Sequence, residues 1–354
     1  MPATETSGTN APAADVEAPE SVVITGAGGW LGQNLVRALA PERALVRCLV
    51  HAAADAPLLE LVGRRVEVQV GDIRDPAALD RLFDGIGRAT VFHAAGVIHP
   101  RAVREFYDVN VGGTQLVLDR ARRSGAARLV HVSSNSPFGA NPTPLDRFDQ
   151  ASPPNPYMGY GRSKLEAEQI VLRADGSGDL PTTVVRPPWF YGPFQPERQT
   201  TWLRAVRRGR FPMLGDGSQQ RSMVYTGNLV DGLRRAEVSA AAPGRAWWIA
   251  DAAPYPLRDI LATVRRALEA EGLPVSGGQP RLPRLAGVVA EKVDGLVQGT
   301  GRYLQAVHVL GELKDTIACD VTASREELGY EPTVDLFEGM RASIRWCRDR
   351  GDAL

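Results

Sequence analysis

The hydrophobic positions of this chain predict strands and helices that alternate along its first half. Residues 22–24 form a short apolar run typical of a buried strand, and residues 31–39 then carry leucine and valine at helical spacing. The same pattern predicts strands at 44–50, 66–75, 89–96, 128–134 and 182–187, and helices at 76–83, at 110–125 and through Tyr160 to about Arg173. Strands that alternate with helices favour right-handed parallel crossovers, so we expect an α/β fold with a Rossmann-type doubly wound parallel sheet.

The second half of the chain has a different character. Residues 189–217 are rich in proline, glycine, arginine and aromatic residues, and the pattern then predicts a helix near 227–238, an apolar segment at 245–251 and a helix near 256–271. We therefore expect a smaller C-terminal lobe that binds substrate. Residues 273–300 support no clear prediction. The predicted divisions are a disordered tail at 1–20, an α/β domain at 21–188, and a lobe at 189–354 interleaved with late strands of the sheet.

Composition limits the classes of partner. The chain has 354 residues, and its 41 Lys+Arg balance 41 Asp+Glu, so the formal net charge of zero gives no electrostatic reason to expect nucleic acid or an anionic membrane. Cys48, Cys319 and Cys347 are far apart and show no metal-ligand spacing, which suits a reducing cytoplasm. We see neither a signal peptide at the start nor an apolar run of about 18 residues that would span a bilayer.

Three glycines, Gly26, Gly29 and Gly32, lie three residues apart where the first strand meets the first helix. Such glycines allow a tight turn, a close approach of backbone to a pyrophosphate, and close packing of the helix on the sheet. The start of the helix then offers unpaired N–H groups to phosphates. The context indicates a dinucleotide site rather than an ordinary turn.

Acidic residues near the second and third strands bear on the cofactor. Asp72 follows the third strand and could accept a hydrogen bond from adenine; the alternative is a helix N-cap, for which Asp75 is better placed. After the second strand no carboxylate occurs until Asp55, which weakens the case for an NAD ribose contact. Arg47 and His51 could meet a 2′-phosphate. NAD and NADP both remain open, with a slight preference for NADP.

Tyr160 and Lys164 lie four residues apart, so on a helix their side chains share a face. Many structural helices carry such a pair, and the spacing alone does not assign a function. The wider set of motifs does. The chain resembles extended short-chain dehydrogenases/reductases, which include nucleotide-sugar epimerases and dehydratases, and the motifs that carry the resemblance are TGAGGWLG (25–32), GDIRD (71–75), FHAAG (92–96), NVGGT (110–114), VHVSSNSPFG (130–139), YGRSK (160–164) and RPPWFYGP (186–193).

The resemblance continues through residues 215–228 and 320–340, and therefore covers nearly everything after the tail. It implies a catalytic triad of Ser134, Tyr160 and Lys164, with Ser133 as the nearby alternative to Ser134. A tyrosine with a pKa of about 10 is a poor base at neutral pH, but the lysine cation and an oxidised nicotinamide favour its phenolate. Tyr160 would then move the proton on a substrate hydroxyl or carbonyl oxygen.

The resemblance also implies the remaining site residues, and it implies no metal. The cofactor site would comprise Gly26, Gly29, Trp30, Leu31, Gly32, His51, Asp72, Ile73, Ala94, Ala95, Gly96, Asn110, Tyr160, Lys164 and Pro187. The substrate site would comprise Ser134, Asn135, Ser136, Trp189 and Arg221. A homodimer formed by helices at about 103–124 and 158–174 is expected by analogy with many relatives.

The residues after Ser134 narrow the reaction. The 4,6-dehydratases of this family carry Asp-Glu there, and sugar-acid decarboxylases also carry a glutamate. This chain has Asn135 and Ser136, neither of which is a general acid at neutral pH. An epimerase, a ketoreductase or an alcohol dehydrogenase therefore remains. A dinucleotide sensor without catalysis is a further alternative, but such relatives usually lack the tyrosine.

The signals for the substrate disagree. The segment around Arg221 resembles the one in which nucleotide-sugar enzymes contact the diphosphate, whereas residues 281–299 resemble a stretch of 3β-hydroxysteroid dehydrogenases and dihydroflavonol reductases. Aromatic residues at 189–194 suit a sugar face, an apolar ring or the core of the lobe. The sequence slightly favours a nucleotide-linked sugar, with an apolar ketone or alcohol as the alternative.

Overall fold

The computed structural model of the protein describes residues 15–176 and 178–354. Most of the predicted tail, residues 1–14, lies outside these ranges. Residues 15–20 contain no helix or strand and lie on the surface, where the Val16 N–H donates to the Val238 carbonyl at 2.7 Å.

The strands occupy both halves of the chain. They are β1 (Ser21–Thr25), β2 (Leu45–Val50), β3 (Val66–Val70), β4 (Ala89–His93), β5 (Arg128–Val132), β6 (Thr182–Arg186), β7 (Trp189–Tyr191), β8 (Met213–Leu214), β9 (Gln220–Arg221), β10 (Met223–Tyr225), β11 (Ala246–Trp248), β12 (Tyr255–Pro256) and β13 (Arg281–Leu282).

The helices follow the predicted alternation and then continue through the lobe. They are α1 (Trp30–Leu39), α2 (Ala56–Glu60), α3 (Pro76–Phe83), α4 (Arg104–Phe106), α5 (Thr114–Arg123), α6 (Met158–Asp175), α7 (Glu197–Arg207), α8 (Thr226–Val238), α9 (Leu257–Ala270), α10 (Arg284–Gly299), α11 (Gln305–Glu312), α12 (Thr322–Leu328) and α13 (Leu336–Asp349).

A seven-stranded parallel sheet in the order β11-β6-β5-β4-β1-β2-β3 forms the centre of the molecule. Strands β4, β5 and β6 are buried at every position, as strands covered by helices on both faces must be. One apolar cluster joins the sheet to α1 and α8, and a second joins its other face to α3, α5 and α6. The predicted Rossmann-type fold is confirmed.

Several predicted elements differ in extent, since the strands predicted at 89–96 and 128–134 end at His93 and Val132, and two other elements differ more. Strand β3 ends at Val70 instead of continuing to residue 75, and the Asp75 carboxylate accepts from the Ala77 N–H at 2.9 Å as the N-cap of α3. The helix predicted at 110–125 begins earlier, at Arg104, and contains a π-helical turn at Tyr107–Gly113. At the end of that turn, the hydroxyl of Thr114, the first residue of α5, donates to the Asn110 carbonyl at 2.6 Å.

The lobe has its own core and also completes the sheet. Strand β11, which comes from the predicted apolar segment at 245–251, is the edge strand beside β6. A separate apolar cluster joins α7, α9 and α13. Residues 273–300, which the sequence left without a clear prediction, contain β13 and α10, and α10 packs on α11. Within the described ranges, no helix combines the length and apolar composition needed to cross a bilayer.

Candidate active site

A cavity of about 1190 Å³ lies at the carboxyl ends of the sheet strands and is also lined by residues of the lobe. Every residue that the sequence assigned to the cofactor or the substrate lines it. In an open parallel sheet this edge is where ligands bind. The tertiary structure therefore brings the candidate residues of both sites together.

The glycine turn is built for close backbone contacts. Gly26 has a φ of 73°, and a Cβ there would lie 2.6 Å from the backbone nitrogen of Ala95. A Cβ on Gly32 would lie 2.2 Å from the Gly26 carbonyl oxygen. Helix α1 begins without a side-chain cap, so the N–H groups of its first turn are available to an anion. This cradle fits the pyrophosphate of a dinucleotide.

Asp72, which was predicted to contact adenine, already has a partner. Its carboxylate accepts from the Arg74 guanidinium, with Nη2 2.6 Å from Oδ2, and this hydrogen bond lowers the pKa of Asp72. His51 lies at the surface with its Nδ1 3.9 Å from the same carboxylate. Asp55 approaches the glycine turn, because a Cβ on Gly28 would lie 2.5 Å from an Asp55 carboxylate oxygen.

Asn110 holds the loop after β4 in place. Its Oδ1 accepts from the Val97 N–H at 2.8 Å, and its Nδ2 donates to the Val97 carbonyl at 3.1 Å and to Ser163 Oγ at 3.1 Å. The π-helical turn that carries Asn110 is thereby tied both to the loop and to α6. Such irregular turns often occur at functional sites.

Lys164 reaches the cavity from α6 and is almost completely enclosed. Its Nζ donates to the Val132 carbonyl at 2.8 Å, at the end of β5, and the residue is only 4% exposed. Burial lowers the pKa of Lys164 to about 8, although the charge of Glu168 opposes the shift. The ammonium group is therefore still mainly protonated at neutral pH.

Tyr160 lies one turn before Lys164 on the same face of α6, with its ring 5.6 Å from the ring of Phe106. Burial raises the pKa of Tyr160 to about 12, while a hydrogen bond with Ser134 opposes the shift. The Ser134 hydroxyl also accepts from the Ser136 N–H at 3.2 Å. The three residues of the predicted triad thus lie in one part of the cavity.

Ser133, the alternative to Ser134, is engaged elsewhere. Its hydroxyl donates to Glu168 at 2.5 Å, and the same carboxylate forms a buried ion pair of 2.7 Å with Arg186. Ser133 is thus part of the contact between α6 and β6. Because Ser133 is engaged in this way and Ser134 lines the cavity with Tyr160, Ser134 stays the predicted triad member.

Comparison with known proteins gives the family. The family model described as "NAD dependent epimerase/dehydratase family" matches residues 22–250. The chain belongs to this family. As the motifs predicted, it is thus an extended short-chain dehydrogenase/reductase and an NAD-dependent enzyme of the oxidoreductase and epimerase class.

Relatives of this family member cover nearly its whole length. It is 40% identical to the uncharacterized protein y4nL of Sinorhizobium fredii over 94% of this chain and 96% of that protein. It is 31% identical to 4-hydroxy-2-methyl-3-oxo-4-farnesyl-3,4-dihydroquinoline-1-oxide ketoreductase of Stigmatella aurantiaca over 90% and 94% of the respective chains. The crystal structure of UDP-glucuronic acid 4-epimerase from Bacillus cereus with NAD has the same fold, at 21% identity, a TM-score of 0.73, and 93% and 99% coverage.

Two of the residues predicted to bind substrate, Trp189 and Arg221, lie in different settings. Trp189 packs against Trp202 with ring centroids 5.0 Å apart in the cavity wall. Arg221 is buried, and its guanidinium donates to the Glu312 carbonyl on α11. The aromatic residues at 189–194 also differ in setting. Whereas Trp189 lines the cavity, Tyr191 is fully buried and its hydroxyl donates to Asp251 at 2.8 Å, so Tyr191 belongs to the core of the lobe.

Sequence reasoning missed polar residues that the lobe adds to the cavity. His308 and Glu312 come from α11, Tyr303 from the turn before it, and Arg198 from α7. His308 Nδ1 is 2.8 Å from a carboxylate oxygen of the buried Asp294. No sequence signal distinguished Asp294 from the other charged residues of α10, and only the packing of α10 on α11 shows that it contacts His308.

Proposed function

We propose that this protein is an NAD-dependent ketoreductase or alcohol dehydrogenase that acts on a secondary alcohol or ketone carbon of a largely apolar substrate. The observation that carries the proposal is the apolar and aromatic wall of the cavity beyond Tyr160. This wall comprises Trp189, Phe190, Phe194, Trp202, Ala205, Phe211, Tyr303, Val309, Leu313, Ile317 and Trp346. Ligand sites of this composition bind apolar molecules and orient them with a few polar groups.

The setting of Arg221 supports an apolar substrate over the nucleotide-linked sugar that the sequence slightly favoured. A diphosphate contact needs a guanidinium that is free to meet the anion. One nitrogen of the Arg221 guanidinium, Nη2, instead donates to the Glu312 carbonyl on α11, which leaves fewer donors for a diphosphate although Nε has no partner. Burial lowers the pKa of Arg221, while the charges of Glu312 and Asp315 oppose that shift. The 31% identical relative is named as a ketoreductase of a farnesylated quinoline, which agrees with this proposal.

We assign the proton chemistry to the triad. The Tyr160 hydroxyl, with its pKa of about 12, is protonated at neutral pH and donates its proton to the substrate oxygen during reduction. The Ser134 hydroxyl donates a hydrogen bond to the same oxygen and orients it. The Lys164 ammonium then stabilises the phenolate that Tyr160 becomes. When bound, the nicotinamide supplies or accepts the hydride.

The cradle favours NAD, in contrast to the slight preference for NADP at the sequence level. Gly26, Gly29 and Gly32 would hold the pyrophosphate, and the Asp55 carboxylate beside Gly28 would repel a 2′-phosphate. The nearby cations already have partners, because Arg74 pairs with Asp72 and Arg37 donates to the carbonyls of Gln33 and Leu58. A fluorescence titration should therefore show tighter binding of NADH than of NADPH.

Replacing Tyr160 tests the proposed mechanism. We expect Tyr160→Phe to lower turnover of a panel of aromatic and long-chain ketones by about 10²–10⁴-fold, because the variant has no proton to donate. The dissociation constant of NADH should stay unchanged. Tyr107→Phe is the matched control, since Tyr107 lies outside the cavity and should keep wild-type turnover. Unchanged turnover in Tyr160→Phe would disprove the assignment.

A nucleotide-sugar epimerase is the second candidate, and Arg198 is the observation that favours it. Arg198 lines the cavity, and its charge opposes the rise that burial causes in the pKa of Tyr160, so a cation is present for an anionic substrate group. An epimerase must return the hydride before the cofactor leaves, so it should be purified with NAD bound. Release of NAD on denaturation, together with epimerisation of UDP-sugars and no ketone reduction, would replace the first proposal by this one.

A further inference from the structure

Several large apolar side chains of helix α10 face the solvent instead of the core. Its buried positions are Gly287, Ala290 and Asp294. Its exposed large apolar side chains are Leu285, Val289, Val293 and Leu296, with exposed fractions of 67%, 54%, 40% and 74%. At about 100° per residue these four lie within an arc of about 80° that is separate from the arc of the buried positions. Exposed apolar surface of this kind marks an interaction site.

The apolar face continues beyond the helix towards the cavity. Leu304, which is 50% exposed, follows α10, and Ile98 is both partly exposed and part of the cavity wall. The two neighbouring segments are joined, because Ala102 forms a bridge with Arg302 and the Val103 N–H donates to the Gly301 carbonyl at 3.0 Å. We call Leu285, Val289, Val293, Leu296, Leu304 and Ile98 the outer apolar face.

Cations accompany the outer apolar face. The exposed charged residues of the segment 281–304 are Arg281, Arg284, Lys292 and Arg302. The two acidic residues of the same segment do not balance them, because Asp294 is buried and Glu291 pairs with Lys314 at 3.0 Å. On the helix, Lys292 lies next to Leu285 and Leu296. An apolar stripe bordered by cations is the pattern of a helix that lies in the interface of an anionic membrane.

We infer that α10 docks the protein on an anionic lipid surface, with the outer apolar face inserted between the headgroups. A second copy of this chain fits less well, because its outer apolar face is bordered by cations as well, and two positively charged borders repel each other. The zero net charge of the chain gave no reason to expect an anionic membrane as partner. This expectation is revised, because the positive charge is concentrated around α10. Such docking needs no membrane-spanning helix, and none of the helices in the described residues could span a membrane.

The position of α10 gives the docking a consequence for the site. Helix α10 packs on α11, and His308, Val309 and Glu312 of α11 line the cavity. A membrane beneath the outer apolar face would therefore adjoin the cavity wall and supply a lipid-dissolved substrate. This consequence rests on the proposed function, whereas the docking itself does not.

Vesicle flotation of the full chain tests the inference without any turnover. We expect binding to vesicles of phosphatidylcholine mixed with phosphatidylglycerol, and weaker binding to phosphatidylcholine alone or at high salt. The double variant Leu285→Ser/Leu296→Ser should bind on the order of tenfold more weakly, because two inserted side chains lose their apolar surface. Arg284→Gln/Lys292→Gln should weaken binding to the anionic vesicles by a similar factor.

Two variants at remote surface positions are the controls. Leu61 is 85% exposed and follows α2, so Leu61→Ser removes an equally exposed leucine, and Arg64→Gln removes an exposed cation nearby. Both should bind vesicles as the wild type does. The inference is overturned if the wild type does not bind the mixed vesicles, or if all variants bind equally. It is also overturned if the wild type is a dimer that binds no vesicles and the leucine variant is a monomer.

Ketone reduction in detergent-free solution separates the two proposals. A protein that reduces water-soluble ketones but ignores vesicles would keep the proposed function and lose the docking. A protein that binds vesicles but reduces none of the ketones would keep the docking and lose the proposed function.

Discussion

At the scale of single residues, the cavity wall contains a histidine in an acidic environment. His308 Nδ1 contacts Asp294 at 2.8 Å, and its Nε2 lies 3.7 Å from Glu312. The rings of Tyr157 and Tyr303 also lie 5.1 and 5.2 Å away. Burial by itself lowers the pKa of His308, but the bond to Asp294 and the charge of Glu312 outweigh it and raise the pKa above its ordinary value.

This raised pKa makes stability depend on pH in a defined direction. A group whose pKa is higher in the folded state stabilises the protein below its unfolded pKa, about 6.5, and the contribution is lost as pH rises through the folded value. The difference in unfolding free energy between wild type and His308→Gln should therefore be largest below about pH 6.5 and shrink above it. Urea denaturation of both proteins across this range measures the difference, and a difference independent of pH would contradict the ion pair.

At the scale of elements, the strand–turn–helix unit β1–α1 depends on the absence of side chains. A Cβ at position 32 would lie 2.2 Å from the Gly26 carbonyl oxygen and 2.6 Å from the Ala27 Cα. Both contacts are to backbone, which cannot move aside without displacing α1 from β1. The glycine that shapes the cradle also sets the packing of the helix on the sheet.

Gly32→Ala should accordingly lower the free energy of unfolding by about 1–3 kcal/mol, the typical cost of overpacking. It should also weaken NADH binding, because the turn and the start of α1 must shift. Gly63→Ala is the control, since a Cβ there has no atom within 4 Å and should change neither property. Denaturant unfolding and NADH fluorescence titration measure the two effects. Wild-type NADH affinity in Gly32→Ala would show that the cradle tolerates a side chain.

At the scale of the whole molecule, the buried Asp251 connects separate elements of the lobe just after the edge strand β11. Its carboxylate accepts from the Tyr191 hydroxyl at 2.8 Å, the Tyr225 N–H at 3.1 Å and Asn228 Nδ2 at 3.2 Å. These partners lie on β7, β10 and α8. One carboxylate thus holds several segments in place above the sheet.

Asp251→Ala should destabilise the protein by about 3–5 kcal/mol, because several buried donors lose their acceptor together. Asp259→Ala is the matched control. Asp259 is exposed, and its Oδ1 lies 3.6 Å from Arg258 Nε in a surface ion pair. Its removal should therefore change the unfolding free energy by less than about 0.5 kcal/mol. Unfolding followed by tryptophan fluorescence measures both variants. Equal stability of the two variants would show that the Asp251 contacts do not hold the lobe together.

Local sequence patterns determined the fold class, the glycine turn and the Tyr160–Lys164 pair. Each depends on neighbours within a few residues, since strand and helix periodicity, the backbone freedom of glycine and the spacing of one helical turn are local properties. The N-cap role of Asp75 could be predicted for the same reason. The π-helical turn around Asn110 could not, because it depends on contacts with Val97 and Ser163 from other elements.

Only the tertiary structure decided how distant segments meet. It placed the Arg221 guanidinium against the Glu312 carbonyl, which the similarity of a short motif to other enzymes could not show. It brought His308 to the cavity and turned the apolar residues of α10 away from the core. The physical reason is that a periodic pattern shows which residues share a face of a helix, whereas the packing of the whole chain determines what that face contacts.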